Sequence, residues 1–252
     1  MPRILVTNDD GVHSDGIHAL ADALRPHGDV IVVAPHIEAS AIGHALTLRR
    51  PLRMEELRPN VYEVDGTPTD CVNIAFTKIY KGRPDLVVSG INKGYNLGDD
   101  VTYSGTVSGA LEGALLGVPS IAVSQERTRG AYDFTHSAAG AAAIAAMVLR
   151  DGMAPQSFLS LNVPSGKPKG FKLTMQGKRN HVTIVDERID PRGKAYYWIE
   201  EGTNDWEPHD RSDFQAVRDG FISVTPLQPD MTAHDALLYV ESLPLGAPAS
   251  TR

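Results

Sequence analysis

Short β-branched runs alternate with helical stripes over roughly the first 165 residues, and this alternation most strongly constrains the fold. Arg3–Thr7 and Asp29–Ala34 have the composition of buried strands. Between them, four apolar residues recur at the i, i+3, i+4, i+7 spacing of an amphipathic helix: Ile17, Leu20, Ala21 and Leu24. Near-continuous apolar strands joined by helices are typical of a parallel sheet that helices cover on both faces.

The same alternation continues along the chain. Thr67–Asp70 has the features of a helix start, with a threonine cap, a proline at the first position and an acid at the third. Further strands are predicted at 85–90, 119–124 and 158–163, and further helices at 107–115 and 136–149. These segments predict an α/β fold with a doubly wound, mostly parallel sheet.

The character of the sequence changes after this region. Residues 181–189 and 194–199 favour strands around a turn signal at Asp190–Gly193, which predicts a β-hairpin arm. Because an isolated hairpin is marginally stable in water, we expect the arm to pack on another subunit. The predicted division is a catalytic core at 1–175, the arm with a final strand at 176–235, and a C-terminal helix with a frayed tail at 236–252.

Composition and charge exclude several classes of protein. The 252 residues carry a net charge of −7, whereas a nucleic-acid binder is usually basic, so no nucleic-acid partner is expected. The single cysteine, Cys71, cannot form an internal disulfide. No apolar run is long enough for a signal peptide or a membrane span. The sequence therefore predicts a cytoplasmic protein without membrane contact.

Polar side chains follow several of the predicted strands, at the edge of the sheet where open α/β folds bind ligands. Asn8, Asp9 and Asp10 come after the first strand. Ser40 lies in the loop after the second strand, which also carries His36 and His44. The glycine-rich loop after the strand at 85–90 carries Asn92, Asn96, Asp99 and Asp100, and Ser104-Gly105-Thr106 then opens a helix. We expect these side chains to meet in one crevice.

The adjacent acids Asp9 and Asp10 need a compensating charge or exposure to water. Two carboxylates about 4 Å apart repel by roughly 4 kcal/mol at an effective dielectric of about 20. A divalent cation would remove this repulsion, and the oxygen donors suit Mg²⁺, Mn²⁺ or Ca²⁺. Zinc is disfavoured because the chain has no CxxC, HxH or HExxH motif.

The helix start at Ser104-Gly105-Thr106 suits an anion. The first backbone N–H groups of a helix lack intrahelical partners, and a glycine there allows close approach. A cation beside this helix end would make a phosphate site. Taken singly, each motif has a simpler interpretation: "NDDG" as a turn or cap, Ser40 as a loop serine, and the glycine-rich loop as a flexible connection.

Five segments resemble the survival protein SurE family in the same order and at similar spacing. They are "ILVTNDDG" (4–11), "GTPTDC" (66–71), "VVSGINKGYNLGDDVTYSGTVSGALEG" (87–113), "LNVP" (161–164) and "GFISVTPL" (220–227). The resemblance implies a metal-dependent phosphatase acting on nucleoside 5′- and 3′-monophosphates, with short polyphosphate as a further substrate. It also implies a Rossmann-like core whose C-terminal arm is exchanged between subunits, giving a homodimer or homotetramer.

The resemblance also implies roles for individual residues. It makes Asp9, Asp10, Ser40 and Asn92 the ligands of one divalent metal ion per subunit, Mg²⁺ or Mn²⁺. It places Asn96 and the Ser104-Gly105-Thr106 helix start on the phosphate.

Our hypothesis is hydrolysis of a phosphomonoester, with Asp9, Asp10 and Asn96 as the catalytic residues. Asp9 or Asp10 would act as general base, and His44 or Asp10 would protonate the leaving group. A covalent aspartyl-phosphate is less favoured because a metal-bound carboxylate is a poor nucleophile and "NDDG" is not the DxDxT pattern. The alternatives are a nucleotide-binding regulatory protein without turnover, and a glycosyltransferase, for which the chain looks too short.

Overall fold

The computed structural model describes residues 1–179, 184–200 and 205–243 of the chain. The described residues form eleven strands: β1 (Arg3–Thr7), β2 (Asp29–Pro35), β3 (Met54–Arg58), β4 (Val61–Val64), β5 (Leu86–Lys93), β6 (Ser120–Gln125), β7 (Phe158–Val163), β8 (Phe171–Leu173), β9 (Ile184–Ile189), β10 (Ala195–Glu200) and β11 (Ile222–Leu227).

The same residues form six α-helices: α1 (Asp15–Leu24), α2 (Pro68–Ile74), α3 (Gly105–Leu115), α4 (Thr135–Asp151), α5 (Asp213–Arg218) and α6 (Leu237–Glu241). Short 3-10 helices lie at Arg25–His27, Gly98–Thr102 and His234–Ala236, and a π-helical turn at Ala75–Ile79 continues α2. Within the described part of the chain, none of these helices has the length and apolar content needed to cross a membrane.

Nine strands form one sheet in the order β3-β4-β2-β1-β5-β6-β7-β11-β8. The strands from β4 to β7 in this order pair in parallel, while β3 and β11 run antiparallel to β4 and β7. Helices α1 and α4 pack on one face of the sheet, and α2 and α3 lie on the other. The doubly wound, Rossmann-like α/β fold predicted from the sequence is confirmed.

The direction of winding changes between two central strands. Strand β1 pairs with β2 on one side and with β5 on the other. The helix after β1 covers one face, and the helix after β5 covers the opposite face. The carboxyl ends of β1 and β5 therefore form the topological switch point, which is where ligands bind in open α/β sheets.

The predicted helix start at Thr67 is confirmed in atomic detail. The Thr67 side chain accepts a hydrogen bond from the Asp70 backbone N–H, and the Asp70 carboxylate accepts one from the Thr67 N–H at 2.9 Å. This capping box stabilises the first turn of α2 because it satisfies two backbone donors that the helix leaves unpaired.

The sheet edge formed by β3 and β4 was not predicted from the sequence. Every residue of β3 is exposed, so its sequence has no alternating apolar pattern to indicate a strand. The final strand that we grouped with the arm is β11, which lies between β7 and β8 in the nine-stranded sheet. The boundaries of the core and the arm at residues 175 and 235 stay predictions.

The predicted hairpin forms a separate two-stranded sheet of β9 and β10. The turn at Asp190–Lys194 is closed by a hydrogen bond from the Asp190 N–H to the Lys194 carbonyl at 2.8 Å. One face presents exposed apolar side chains: Val185, Ile189, Tyr197 and Ile199. Of the predicted arm and tail, residues 180–183, 201–204 and 244–252 lie outside the described part of the chain.

Candidate active site

The segment after β1 is a tight turn that carries the two acids. The Asn8 side-chain amide donates to the Gly11 carbonyl at 3.0 Å, and Gly11 has a φ of +94°, which favours glycine. The Ala39 N–H donates to the Asp9 carbonyl at 2.8 Å, so the loop after β2 lies against this turn. "NDDG" is therefore a bend that the Asn8 side chain closes, and it carries both carboxyl groups at the end of β1.

Asp9 is buried against the first turn of α3. The Thr106 hydroxyl donates a hydrogen bond to Asp9 Oδ1. A Cβ atom on Gly105 would lie 2.8 Å from Asp9 Cβ and 2.9 Å from Asp9 Oδ2, closer than real contacts allow. Only glycine at position 105 therefore lets the helix end approach this carboxylate.

Burial makes ionisation of Asp9 unfavourable. The pKa of Asp9 is raised from 3.8 to about 6: loss of hydration is the main cause, the Thr106 hydrogen bond lowers the pKa, and the Asp10 charge raises it. A cation next to the carboxylates would favour the ionised form again.

Asp10 has a free acceptor atom in a buried position. Burial raises the pKa of this carboxyl, the Lys93 and Arg127 charges lower it, and the Glu38 charge raises it. Within the described residues, Asp10 Oδ2 is buried and has no hydrogen-bond donor. A buried carboxylate oxygen without a donor is costly unless a ligand satisfies it.

This donor set fits a hard divalent cation better than zinc. The described residues contain no group of three or more His, Cys, Asp or Glu side chains that could hold a metal ion. The site offers two adjacent carboxylates and the unsatisfied Asp10 oxygen, and oxygen donors of this kind suit Mg²⁺ or Mn²⁺. Asp9 and Asp10 can therefore hold such an ion.

The side chains of the two other predicted ligands, Ser40 and Asn92, form hydrogen bonds to residues two positions away in the chain. Ser40 is exposed, and its hydroxyl donates to Glu38 Oε1 at 2.5 Å. Asn92 is half-buried at the end of β5, where its side-chain NH₂ donates to the Gly94 carbonyl at 3.0 Å. Their assignment as metal ligands stays a prediction. Glu38, whose charge acts on Asp10, was missed although it lies in the same loop as Ser40.

Asn96 is held across the ends of two neighbouring strands. Its side-chain NH₂ donates to Ser124 Oγ at 2.7 Å. Its backbone N–H donates to Asn162 Oδ1 at 2.8 Å, and the Asn162 NH₂ donates to the Asn96 carbonyl at 3.1 Å. Ser124 and Asn162 were not singled out from the sequence, because only the sheet brings β6 and β7 beside this loop.

Ser104 is the N-cap of α3. Its Oγ accepts from the Val107 N–H at 3.1 Å, so this hydroxyl already serves the first turn. The N–H groups at the start of a helix have no carbonyl one turn earlier to bind. The backbone N–H groups of Gly105 and Thr106 lie beside Asp9, and their assignment to the phosphate stays a prediction.

Three glycines on one face of α3 allow it to lie close to the sheet. Besides Gly105, a Cβ on Gly109 would lie 2.7 Å from Ser89 Oγ and 2.9 Å from Thr7 Cγ2. A Cβ on Gly113 would lie 2.9 Å from Val87 Cγ2. The four-residue spacing of these glycines is visible in the sequence and indicates a close helix–sheet contact that we did not predict.

A buried acid on α3 binds the loop that carries Ser40. His44 Nε2 lies 2.6 Å from Glu112 Oε2, and the Asn73 side-chain NH₂ donates to Glu112 Oε1 at 2.7 Å. The Gly43 N–H donates to the Tyr103 carbonyl at 3.0 Å. His44 is thus held on the flank of α3, and Glu112 could have been noticed as an acid within an apolar helical stripe.

The fold and the site define an α/β protein in which two adjacent carboxyl groups, Asp9 and Asp10, lie beside the N-terminal turn of α3 where the winding direction changes. The sequence profile of the family "Survival protein SurE" matches residues 4–183. The chain belongs to the survival protein SurE family.

Relatives resemble the chain over nearly its full length. It is 53% identical to a "5'-nucleotidase SurE" of Syntrophotalea carbinolica over 230 residues, covering 91% of this chain and 92% of that protein. It is 49% identical to a "5'-nucleotidase SurE 1" of Thermus thermophilus over 247 residues, covering 96% and 97%. The crystal structure of the SurE protein from Aquifex aeolicus matches with a TM-score of 0.86 and 44% identity, covering 95% of this chain and 98% of that one.

Proposed function

We propose that this protein is a 5′-nucleotidase that hydrolyses nucleoside 5′-monophosphates to nucleoside and inorganic phosphate. The observation that carries the proposal is the buried Asp9 carboxyl group against the N-terminal turn of α3, with Asp10 next to it in the chain. Relatives named 5'-nucleotidase SurE are 45–53% identical over most of the chain, which supports the same activity here. Nucleoside 3′-monophosphates and short polyphosphate are proposed as further substrates.

The proposal includes one divalent ion per subunit, Mg²⁺ or Mn²⁺. Asp9, Asp10, Ser40 and Asn92 would hold it. When bound, the ion would neutralise the carboxylates and withdraw negative charge from the phosphate oxygens. The unsatisfied buried oxygen of Asp10 supports this part of the proposal.

The protein's own groups would perform the remaining tasks. The backbone N–H groups at Gly105 and Thr106, with the Asn96 side chain, would hold phosphate oxygens while charge redistributes in the transition state. Asp9 or Asp10 would take a proton from the attacking water. His44 and Asp10 stay the candidates for protonating the leaving nucleoside oxygen.

The first experiment is an assay of inorganic phosphate release. The substrates are a panel of nucleoside 5′- and 3′-monophosphates and tripolyphosphate, each with Mg²⁺, with Mn²⁺ and with EDTA. Release from 5′-monophosphates that EDTA stops and metal restores is the expected result. Thermal stabilisation by nucleotide without any release would contradict turnover and favour a nucleotide-binding regulatory protein.

We also propose that the protein is a homodimer or homotetramer with exchanged C-terminal arms. The apolar face of the β9–β10 hairpin supports this, because four exposed apolar side chains on one face are costly in water. The cytoplasmic location expected from the sequence stays a prediction.

A further inference from the structure

The peptide at Gly98 is held on both sides by residues far away in the sequence. The Gly98 N–H donates to Asp213 Oδ2 at 2.8 Å. The Gln176 side-chain NH₂ donates to the Gly98 carbonyl at 3.1 Å. Gly98 opens the 3-10 helix Gly98–Thr102, so the whole turn is anchored at its first residue.

Asp213 binds three backbone N–H groups from a buried position. Its Oδ1 accepts from the Gly177 N–H at 2.9 Å and from its neighbour Phe214 at 2.7 Å, while Oδ2 accepts from Gly98. The residue is 1% exposed. Hydrogen bonds to a buried carboxylate are among the strong ones, because water does not compete for the charge.

Packing holds the same turn in place. Gly98 has a φ of +51°, and a Cβ there would lie 2.8 Å from Trp206 Cζ3. Trp206 stacks on Phe214 with ring centroids 4.6 Å apart. Arg179 NH1 lies 3.4 Å from Asp100 Oδ1 within the turn. A displaced turn would therefore lose both its hydrogen bonds and its steric fit.

The anchored turn lies between two predicted phosphate-binding elements. Asn96 comes two residues before Gly98, and Ser104, the cap of α3, comes two residues after the turn ends. We propose that Asp213 is a positioning residue. It fixes the position of the loop 96–104 and therefore the positions of the phosphate-binding groups at both ends of that loop. This inference rests on the proposed nucleotidase function.

The anchor also connects the active site to the root of the hairpin. Gly177 precedes β9, and Trp206 and Asp213 follow β10, so the residues that hold Gly98 flank the arm on both sides. A movement of these flanking residues would therefore move the phosphate-binding loop, because the Asp213 carboxylate joins the two.

The test uses Asp213→Asn in the full-length chain. An asparagine can keep its oxygen on the Gly177 and Phe214 N–H groups, but it then turns its NH₂ towards the Gly98 N–H, donor against donor. We expect amide hydrogen exchange in peptides covering 97–103 to accelerate about tenfold or more. We expect kcat for a nucleoside 5′-monophosphate to fall by about 10- to 100-fold, with a smaller change in KM.

The matched control is Asp219→Asn, which removes the same charge at the C-terminal end of the same short helix. Asp219 accepts from Lys172 at 2.9 Å and from Gln215 at 2.8 Å, and these bonds do not involve the loop. In Asp219→Asn, amide hydrogen exchange at 97–103 and kcat should both match wild type. Gln176→Met serves as a milder second variant, since it removes only the bond to the Gly98 carbonyl.

Three results would overturn the inference. In the first, Asp213→Asn shows faster exchange at 97–103 but keeps kcat within about twofold of wild type. In the second, Asp219→Asn loses as much kcat as Asp213→Asn. In the third, amide exchange at 97–103 is no faster in Asp213→Asn than in wild type. If the wild-type protein releases no phosphate with any metal, the proposed nucleotidase function is wrong, and the positioning role of Asp213 is then tested by binding. The dissociation constant of inorganic phosphate then replaces kcat, and an unchanged value in Asp213→Asn overturns the positioning role.

Discussion

The hydroxyl of Thr106 donates a hydrogen bond to Oδ1 of Asp9, and the two residues are 97 positions apart in the chain. Both side chains are buried, so the bond joins the first turn of α3 to the tip of β1 inside the protein. It stabilises the ionised carboxylate and opposes the effect of burial on the pKa of Asp9. The first turn of α3 and the Asp9 carboxyl group are therefore one structural unit.

Replacing Thr106 by valine should remove the hydrogen bond that joins α3 to Asp9. The variant Thr106→Val loses the hydroxyl that favours ionised Asp9, so the pKa of Asp9 should rise. We expect kcat/KM to fall about tenfold and its acidic limb to move to higher pH. The measurement is the pH profile of kcat/KM for a nucleoside 5′-monophosphate.

The matched control for this variant is Thr77→Val. The Thr77 hydroxyl is exposed and donates only to nearby helix carbonyls, those of Asn73 and Ile74. Its pH profile should coincide with that of wild type. An unshifted acidic limb in Thr106→Val would show that Asp9 does not govern that limb.

Asp9→Asn should remove activity and increase stability at neutral pH without metal. The pKa of Asp9 is 3.8 unfolded and about 6 folded, so between these values the folded state binds more protons. The contribution of Asp9 to stability therefore falls as pH rises through this window and stays low above it. The variant avoids this cost, which is about 1–3 kcal/mol at neutral pH.

Denaturant unfolding in EDTA at about pH 5 and about pH 7.5 measures this effect. The stability gain of Asp9→Asn over wild type should be larger at the higher pH, and phosphate release should be undetectable with metal. A gain that is the same at both pH values would contradict a raised pKa. Near-normal turnover would remove Asp9 from the catalytic residues.

Gly109→Ala should destabilise the protein although alanine favours helices. Its Cβ would meet Ser89 and Thr7 beneath α3, so the helix would have to move away from the sheet. We expect a loss of about 1–3 kcal/mol in the free energy of unfolding. Gly82→Ala is the control, because a Cβ there meets only the Tyr80 carbonyl oxygen at 3.9 Å. Equal stability of both variants would refute the close helix–sheet contact.

Ile199→Asp should weaken the proposed oligomer. Ile199 is 80% exposed on the apolar face of the hairpin, and a carboxylate there would be buried without a partner in an interface. Light scattering coupled to size-exclusion chromatography should show a smaller mass than for wild type. Arg192→Asp also introduces a carboxylate, with loss of a positive charge, in the exposed hairpin turn and should keep the wild-type mass. Equal masses for all three proteins would place the interface elsewhere.

Local pattern predicted most of the central elements. Strands β1, β2 and β5 to β7 and helices α1, α3 and α4 lie within a few residues of their predicted positions, because each buries apolar residues at a regular period. The Thr67 cap was also predicted from local sequence, because capping depends on the residue types at the first few positions of the helix. Strands β3, β4 and β8 were missed, because they have only three to five residues each and most residues of β3 and β8 are exposed.

The sequence by itself determined the class of fold and the residues at the strand tips, because periodicity and turn chemistry act over a few neighbouring positions. Only the tertiary structure decided which of those residues touch. The hydrogen bonds of Asp9 with Thr106, of Asn96 with Asn162 and of Gly98 with Asp213 join residues 66 to 115 positions apart. Such pairs form when strand order and helix packing bring the segments together, and no local pattern encodes that distance.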